Sequence, residues 1–131
     1  ILWRDADRKA IDVRSWLPAE DAPIAMATLL RRDVVVRAGK DGAYFTRYTD
    51  SAKLSSTYIP SLSVEAIDTN GAGDAHTGVL AASLAQGTSM ERALVLANCA
   101  GALASTTVGP ATCPPRTQIK AAADALAEQE D

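Results

Sequence analysis

The sequence predicts an α/β fold in which an incomplete sheet is flanked by helices. Three observations lead there. Val34, Val35 and Val36 are consecutive and β-branched, the pattern of a strand buried on both faces. Segments with helical apolar spacing lie on either side of that run. Between the strand region and the last helices, residues 68–74 read DTNGAGD, a glycine-rich strand-to-helix turn. The strand candidates are few, so part of the sheet that such a layer needs is expected to lie outside these 131 residues.

Each element has its own signal. Ala6, Ala10, Val13 and Leu17 follow one helix face, which predicts a helix over 5–17 ended by Pro18. Trp3 and Trp16 are expected to pack against the sheet or an absent domain. A second helix is expected from about Ala19 to Arg32. Glu20 and Asp21 favour its positive end, and Pro23 is tolerated in its first turn. After the valine strand, Gly39 and Gly42 flank Lys40-Asp41 as a tight turn into a strand over 43–48. Two short strands are expected near 57–60 and 64–67. Residues 71–86 then form a helix closed by Gly87. Ser89 caps the next, which runs to about Ser105. TTVGPATCPP, residues 106–115, is dense in turn formers and reads as a loop, and 116–128 makes a last amphipathic helix.

Composition narrows the function classes. The chain is 47% hydrophobic and 22% charged, as expected of a globular protein. No apolar run approaches the roughly 18 residues that span a bilayer, so a membrane is not an expected partner. The net charge is -3 with scattered basic residues, which argues against nucleic acid. Cys99 and Cys113 are isolated and His76 is the single histidine, so no zinc site is expected. Two reduced thiols in a cytoplasmic protein is the simpler reading, with a disulfide as its alternative. The chain opens at Ile1 without an initiator methionine, which suggests a fragment or a processed piece.

The glycines carry the chemistry. A helix start has main-chain N–H groups without intrahelical partners and a partial positive charge. Glycine and alanine leave those amides uncovered, so Gly71, Ala72 and Gly73 suit a phosphate or a developing oxyanion. A carboxylate at Asp74 repels such an anion. Its presence makes sense if it takes the proton from an attacking hydroxyl during phosphoryl transfer. Two familiar phosphate loops do not fit. The dinucleotide fingerprint wants Gly or Ala where His76 stands, and a P-loop wants Lys and Ser/Thr where Val79 and Leu80 stand. Taken alone, the segment also reads as an ordinary turn with Asp74 as a helix-start charge.

DTNGAGDAHTG resembles the C-terminal signature of the ribokinase-like sugar kinases, the PfkB carbohydrate kinase family, whose usual form is Asp-Thr-x-Gly-Ala-Gly-Asp-x-Phe. VVVRAGKDGAYF, residues 34–45, is similar to that family's strand–Gly-x-x-Gly turn–strand. SMERALVLANCAGALASTTVGPATCPP, residues 89–115, is similar to the helix and loop that follow the signature. The likeness covers roughly residues 20–120. It implies a three-layer ribokinase-like fold of which this chain is the C-terminal portion only. Residues 1–131 would be a single partial domain, the ATP-binding half, with the N-terminal sugar-binding and lid half absent.

The resemblance further implies transfer of the γ-phosphate of ATP to an alcohol group of a sugar or nucleoside. Asp74 falls on the catalytic base and Gly71, Ala72 and Gly73 on the anion hole. Gly39 and Gly42 fall near the nucleotide and Asn98 at the adenine pocket. Arg37 would reach a phosphate oxygen or stand as a solvated strand-end residue, and Lys40 falls near the nucleotide phosphates or in solvent. A monovalent cation, K⁺, would be held by Asp68, the Asn70 carbonyl, Ala104, Thr107, Gly109 and Cys113. Mg²⁺ would arrive with ATP. Departures are His76 for Phe, Val79 for Gly, and no visible Asn-x-x-Glu motif, although Asp5 or Asp7 lies in roughly its region. Expected partners are ATP, the small-molecule acceptor, and a second copy of the chain or the missing half. Two alternatives stand beside this reading: an inactive nucleotide-binding or interaction fragment, and a piece of a dinucleotide-binding oxidoreductase.

Overall fold

The computed structural model describes residues 2–4, 10–12, 20–51 and 53–129. They divide into two compact units, one of residues 1–38 with 44–58 and the other of 39–43 with 59–131.

In the first unit, β1 (Leu2–Arg4) pairs antiparallel with β2 (Ala10–Asp12), Trp3 facing Ile11 across the ladder. This overturns the helix expected over 5–17 at residues 10–12; residues 5–9 and 13–17 lie outside the described set, as does Trp16. Two of the four apolar positions behind that expectation are alanines, which bury little. They carry little weight against the β preference of Trp3 and Ile11. Helix α1 (Ala22–Leu30) starts after Asp21 with proline in its first turn. It stops at Arg31, whose φ of 54° is left-handed and whose N–H donates to the Ala27 carbonyl at 2.8 Å.

Strands β3 (Val34–Arg37), β4 (Ala43–Thr46) and β5 (Thr57–Ile59) form a three-stranded sheet in that order. The central strand β4 buries Ala43, Phe45 and Thr46. Val34, Val35 and Val36 are half-buried, not buried on both faces as their run predicts, because β3 is an edge strand of this sheet. The Tyr44 and Tyr58 rings sit 5.1 Å apart, and the Arg47 guanidinium lies 5.6 Å from the Phe45 ring.

The second unit is helical. It contains α2 (Ala72–Ala85), α3 (Met90–Ala104) and α4 (Arg116–Gln129), close to the predicted spans. Helix α3 is its centre and buries Ala93, Leu94, Ala97, Asn98, Cys99, Ala100 and Ala104. Cys99 and Ala100 pack with Ile119 and Ala123 of α4, and Val79 of α2 joins that cluster. Helix α2 ends on Gly87 at φ 84°; Gly87 N–H donates to Leu84 O and Thr88 N–H to Ser83 O, both at 3.0 Å, a Schellman closure. The strand expected at 64–67 does not form. The Ile67 and Asp68 amides instead donate to the Ser105 carbonyl, at 2.8 and 3.0 Å, tying the segment to the end of α3. Both cysteines are free, so the disulfide alternative falls; burial pushes the Cys99 thiol up to about 11, with Arg92 opposing. No helix among the described residues is long and apolar enough to cross a membrane.

Candidate active site

Helix α2 opens without a side-chain cap. Its N-cap residue is Gly71, held at φ 76°, where L side chains are strained. A Cβ at Gly71 would stand 2.0 Å from the Pro110 carbonyl oxygen, so only glycine lets the main chain of the 105–115 loop close over this turn. Ala75 N–H donates to Gly71 O at 2.9 Å and starts the helical ladder. Ala72 departs from the bare amide that the sequence suggests, because its N–H reaches Thr69 O at 3.2 Å. Asp74, third residue of α2, is exposed beside this turn. Its carboxylate is placed to meet an external group and not the interior.

The approach to α2 is fixed by Asp68. One carboxylate oxygen accepts the Asn70 amide and the other the Gly109 amide, each at 2.9 Å. The Gly109 bond foremost, then the Asn70 bond, hold the Asp68 carboxyl below the usual carboxylate range, against a small opposing effect of burial. Asp68, Asn70 and Gly109 are therefore brought together, and the main chain of Pro110 joins them at Gly71. The other residues of the expected cation set are engaged or exposed elsewhere. The Ala104 carbonyl accepts the Thr112 hydroxyl at 2.6 Å, Thr107 is exposed, and the exposed Cys113 thiol lies 3.7 Å from Pro114 O. No group of three or more His, Cys, Asp or Glu side chains among the described residues is arranged to hold a metal ion.

Gly39–Asp41 forms one 3₁₀ turn, closed by Gly42 N–H donating to Gly39 O at 3.1 Å. Gly42, at φ 92°, is pressed against the chain: a Cβ there would fall 2.2 Å from Ile59 O. Lys40 is exposed on this turn. Asn98 holds the same stretch. It is 4% exposed, and its amide nitrogen donates to Ile59 O at 3.1 Å and Pro60 O at 3.0 Å. Its oxygen lies 2.9 Å from His76 Nε2. With its donors committed to two carbonyls, the Asn98 side chain positions residues 59–60. His76 is buried. Arg37 ends β3, exposed, in the first unit.

Several contributors escaped sequence reasoning. Ser105 anchors 67–68, Pro110 covers Gly71, and Gly101 lets α3 approach α2, since a Cβ there would stand 3.1 Å from Ala72 O. The adjacent Gly109-Pro110 pair was a signal for the second of these.

Residues 18–117 match the pfkB family carbohydrate kinases. The bifunctional protein HldE of Acidiphilium cryptum is 36% identical over 109 residues, covering 80% of this chain but 22% of its own length. Among solved structures, the Thermotoga maritima ribokinase superimposes with a TM-score of 0.71 at 26% identity, over 83% of this chain and 35% of that one. Vibrio cholerae fructokinase in its fructose, ADP and calcium ion bound form gives 0.65 at 31% identity, over 80% and 35%. The chain thus spans well under half of the relatives it matches, with a ribokinase-like arrangement over the part they share. It belongs to the pfkB family of carbohydrate kinases.

Proposed function

We propose that this chain carries the phosphoryl-transfer end of an ATP-dependent kinase acting on an alcohol group of a sugar or nucleoside. The observation that carries the reading is the start of α2: a glycine N-cap without side-chain cover, and an exposed Asp74 in the first turn. In this reading the acceptor hydroxyl attacks the γ-phosphorus in line with the departing ADP oxygen. Asp74 takes the hydroxyl proton, and the amides from Gly71 to Gly73 stabilise charge on the moving phosphoryl group, Ala72 sharing its N–H with Thr69 O. The Gly39–Gly42 turn and the 59–60 segment held by Asn98 are assigned to the nucleotide, with Lys40 as a candidate phosphate contact. Mg²⁺ would come with the nucleotide. K⁺ is assigned to the Asp68, Asn70 and Gly109 region beside the anion hole, where Asp68 is the charged group and its two oxygens are held by the Asn70 and Gly109 amides. The ADP- and fructose-bound fructokinase supports the choice of substrates.

Asp74→Asn should lower kcat by on the order of 10² to 10⁴ while ATP affinity is kept. Turnover close to that of the unaltered protein would remove Asp74 from the role of base. The chain's short span against its relatives favours a second reading, an inactive nucleotide-binding or interaction fragment. Incubation with ATP, Mg²⁺, K⁺ and a panel of sugars and nucleosides separates the two. ADP release supports the kinase, and ATP binding without release supports the fragment.

A further inference from the structure

His76 has no part in the chemistry just described, yet it joins the two parts of the second unit assigned to the nucleotide. It lies on α2 one turn beyond the glycines, in the seam where Gly101 of α3 comes close; a Cβ at Gly101 would meet His76 Cβ at 3.7 Å. It is 7% exposed. Its Nε2 is 2.9 Å from Asn98 Oδ1, and Asn98 Nδ2 donates to Ile59 O and Pro60 O. This network fixes the proton. The amide nitrogen must face the two carbonyls, so the amide oxygen faces the imidazole and accepts, and Nε2 is the protonated nitrogen that donates.

Beyond those carbonyls lies Gly42, whose absent Cβ leaves the space that Ile59 O, Ser61 N and Pro60 C fill. A single line of contacts therefore runs from the first turns of α2 through His76 and Asn98 to the Gly39–Gly42 turn. All of it lies within one compact unit.

We infer that His76 is a positioning residue for nucleotide binding: by donating to Asn98 it holds the 59–60 segment and the Gly42 turn in register with the anion-binding start of α2. The inference rests on the kinase reading above. His76 touches no reacting atom. The start of α2 is fixed independently by the Gly71–Pro110 packing and the Ala75–Gly71 bond. Loss of the His76 donor therefore leaves Asp74 in place and loosens the 59–60 segment. Affinity for ATP should suffer and the chemical step should not.

The test is calorimetric titration of the full chain with ATP and Mg²⁺, alongside amide exchange at Gly42, whose N–H is hydrogen-bonded to Gly39. His76→Leu keeps apolar bulk and removes the donor. It should weaken ATP binding roughly tenfold, the equivalent of one buried hydrogen bond, and speed exchange at Gly42. His76→Gln restores a donor of similar reach and should return the affinity to within about threefold. Should His76→Leu fail to fold, His76→Asn serves in its place, its amide being too short to reach Asn98 Oδ1, with the same weakening expected. Unchanged affinity in His76→Leu or His76→Asn overturns the inference and leaves the kinase reading standing. Equal weakening in His76→Gln overturns it too, since a packing role is then enough. Failure of the unaltered chain to bind ATP removes the kinase reading itself and this inference with it.

Discussion

Helices α2 and α3 pack against one another, yet they begin in opposite ways. Helix α3 begins on Ser89 with extended backbone (φ -59°, ψ 152°), and the Ser89 hydroxyl accepts the Arg92 amide at 3.3 Å. Glu91 adds a negative charge in the first turn. Those features satisfy helix donors from within the protein. Helix α2 begins on a left-handed glycine with no side-chain acceptor, and the main chain of Pro110 packs against that glycine. Such a start forgoes a cap worth about 1 kcal/mol, which the proposed anion site would account for. The same physics thus serves stability at one helix and, in the proposed kinase, ligand recognition at its neighbour.

The change that should break this contrast most severely is Gly71→Ala. It forces a side chain into φ 76° and sets a Cβ 2.0 Å from Pro110 O. Left-handed strain and overpacking against main chain should together destabilise the protein by on the order of 3 to 5 kcal/mol, read as a drop in the urea midpoint at constant slope. A wild-type midpoint would mean that the α2 turn is not held by the Pro110 contact, and the contrast with Ser89 would lose its structural basis.

A second effect depends on pH. The folded-state pKa of Asp68 is lowered from 3.8 by its bonds to the Gly109 and Asn70 amides. The contribution of those bonds is therefore complete above the unfolded-state value and is lost as pH falls through the lower folded-state value. Urea midpoints measured from pH 5 downward should fall more steeply in the unaltered protein than in Asp68→Asn, with the difference confined to pH below about 4. Parallel curves would show that Asp68 does not staple the α2 approach to the 109 loop.

The sequence announced the two helix starts in unequal depth. Ser89 three residues before Arg92, Gly87 after a helical run, and the spans of α2, α3 and α4 were readable, because caps and periodicity are local signals. The roles proposed for Gly71 to Asp74 came from residue chemistry and from family likeness. What the sequence left dark was non-local. The Asn98–His76 bond joins residues 22 positions apart, and the Asp68–Gly109 bond joins residues 41 apart, so neither leaves a pattern within one window. The 10–12 and 64–67 errors share a cause. Alanine spacing at Ala6 and Ala10, and the short strand expectation near Val64, are weak local readings that tertiary partners override, β1 in one case and the Ser105 carbonyl in the other.

The smallest expected effect tests the other side of the contrast. Ser89→Ala removes the acceptor of the Arg92 amide and leaves the exposed α3 start to water. It should destabilise the protein by about 1 kcal/mol, and Ser89→Gly by only a few tenths, because glycine lets water reach the same amides. Thermal unfolding of the two variants measures this. ATP affinity should be unchanged in both, since Ser89 opens the helix that buries its donors' needs within the fold. A loss of ATP binding in Ser89→Ala at preserved stability would show that the α3 start also reports to the nucleotide, and the division of labour between the two helices would fail.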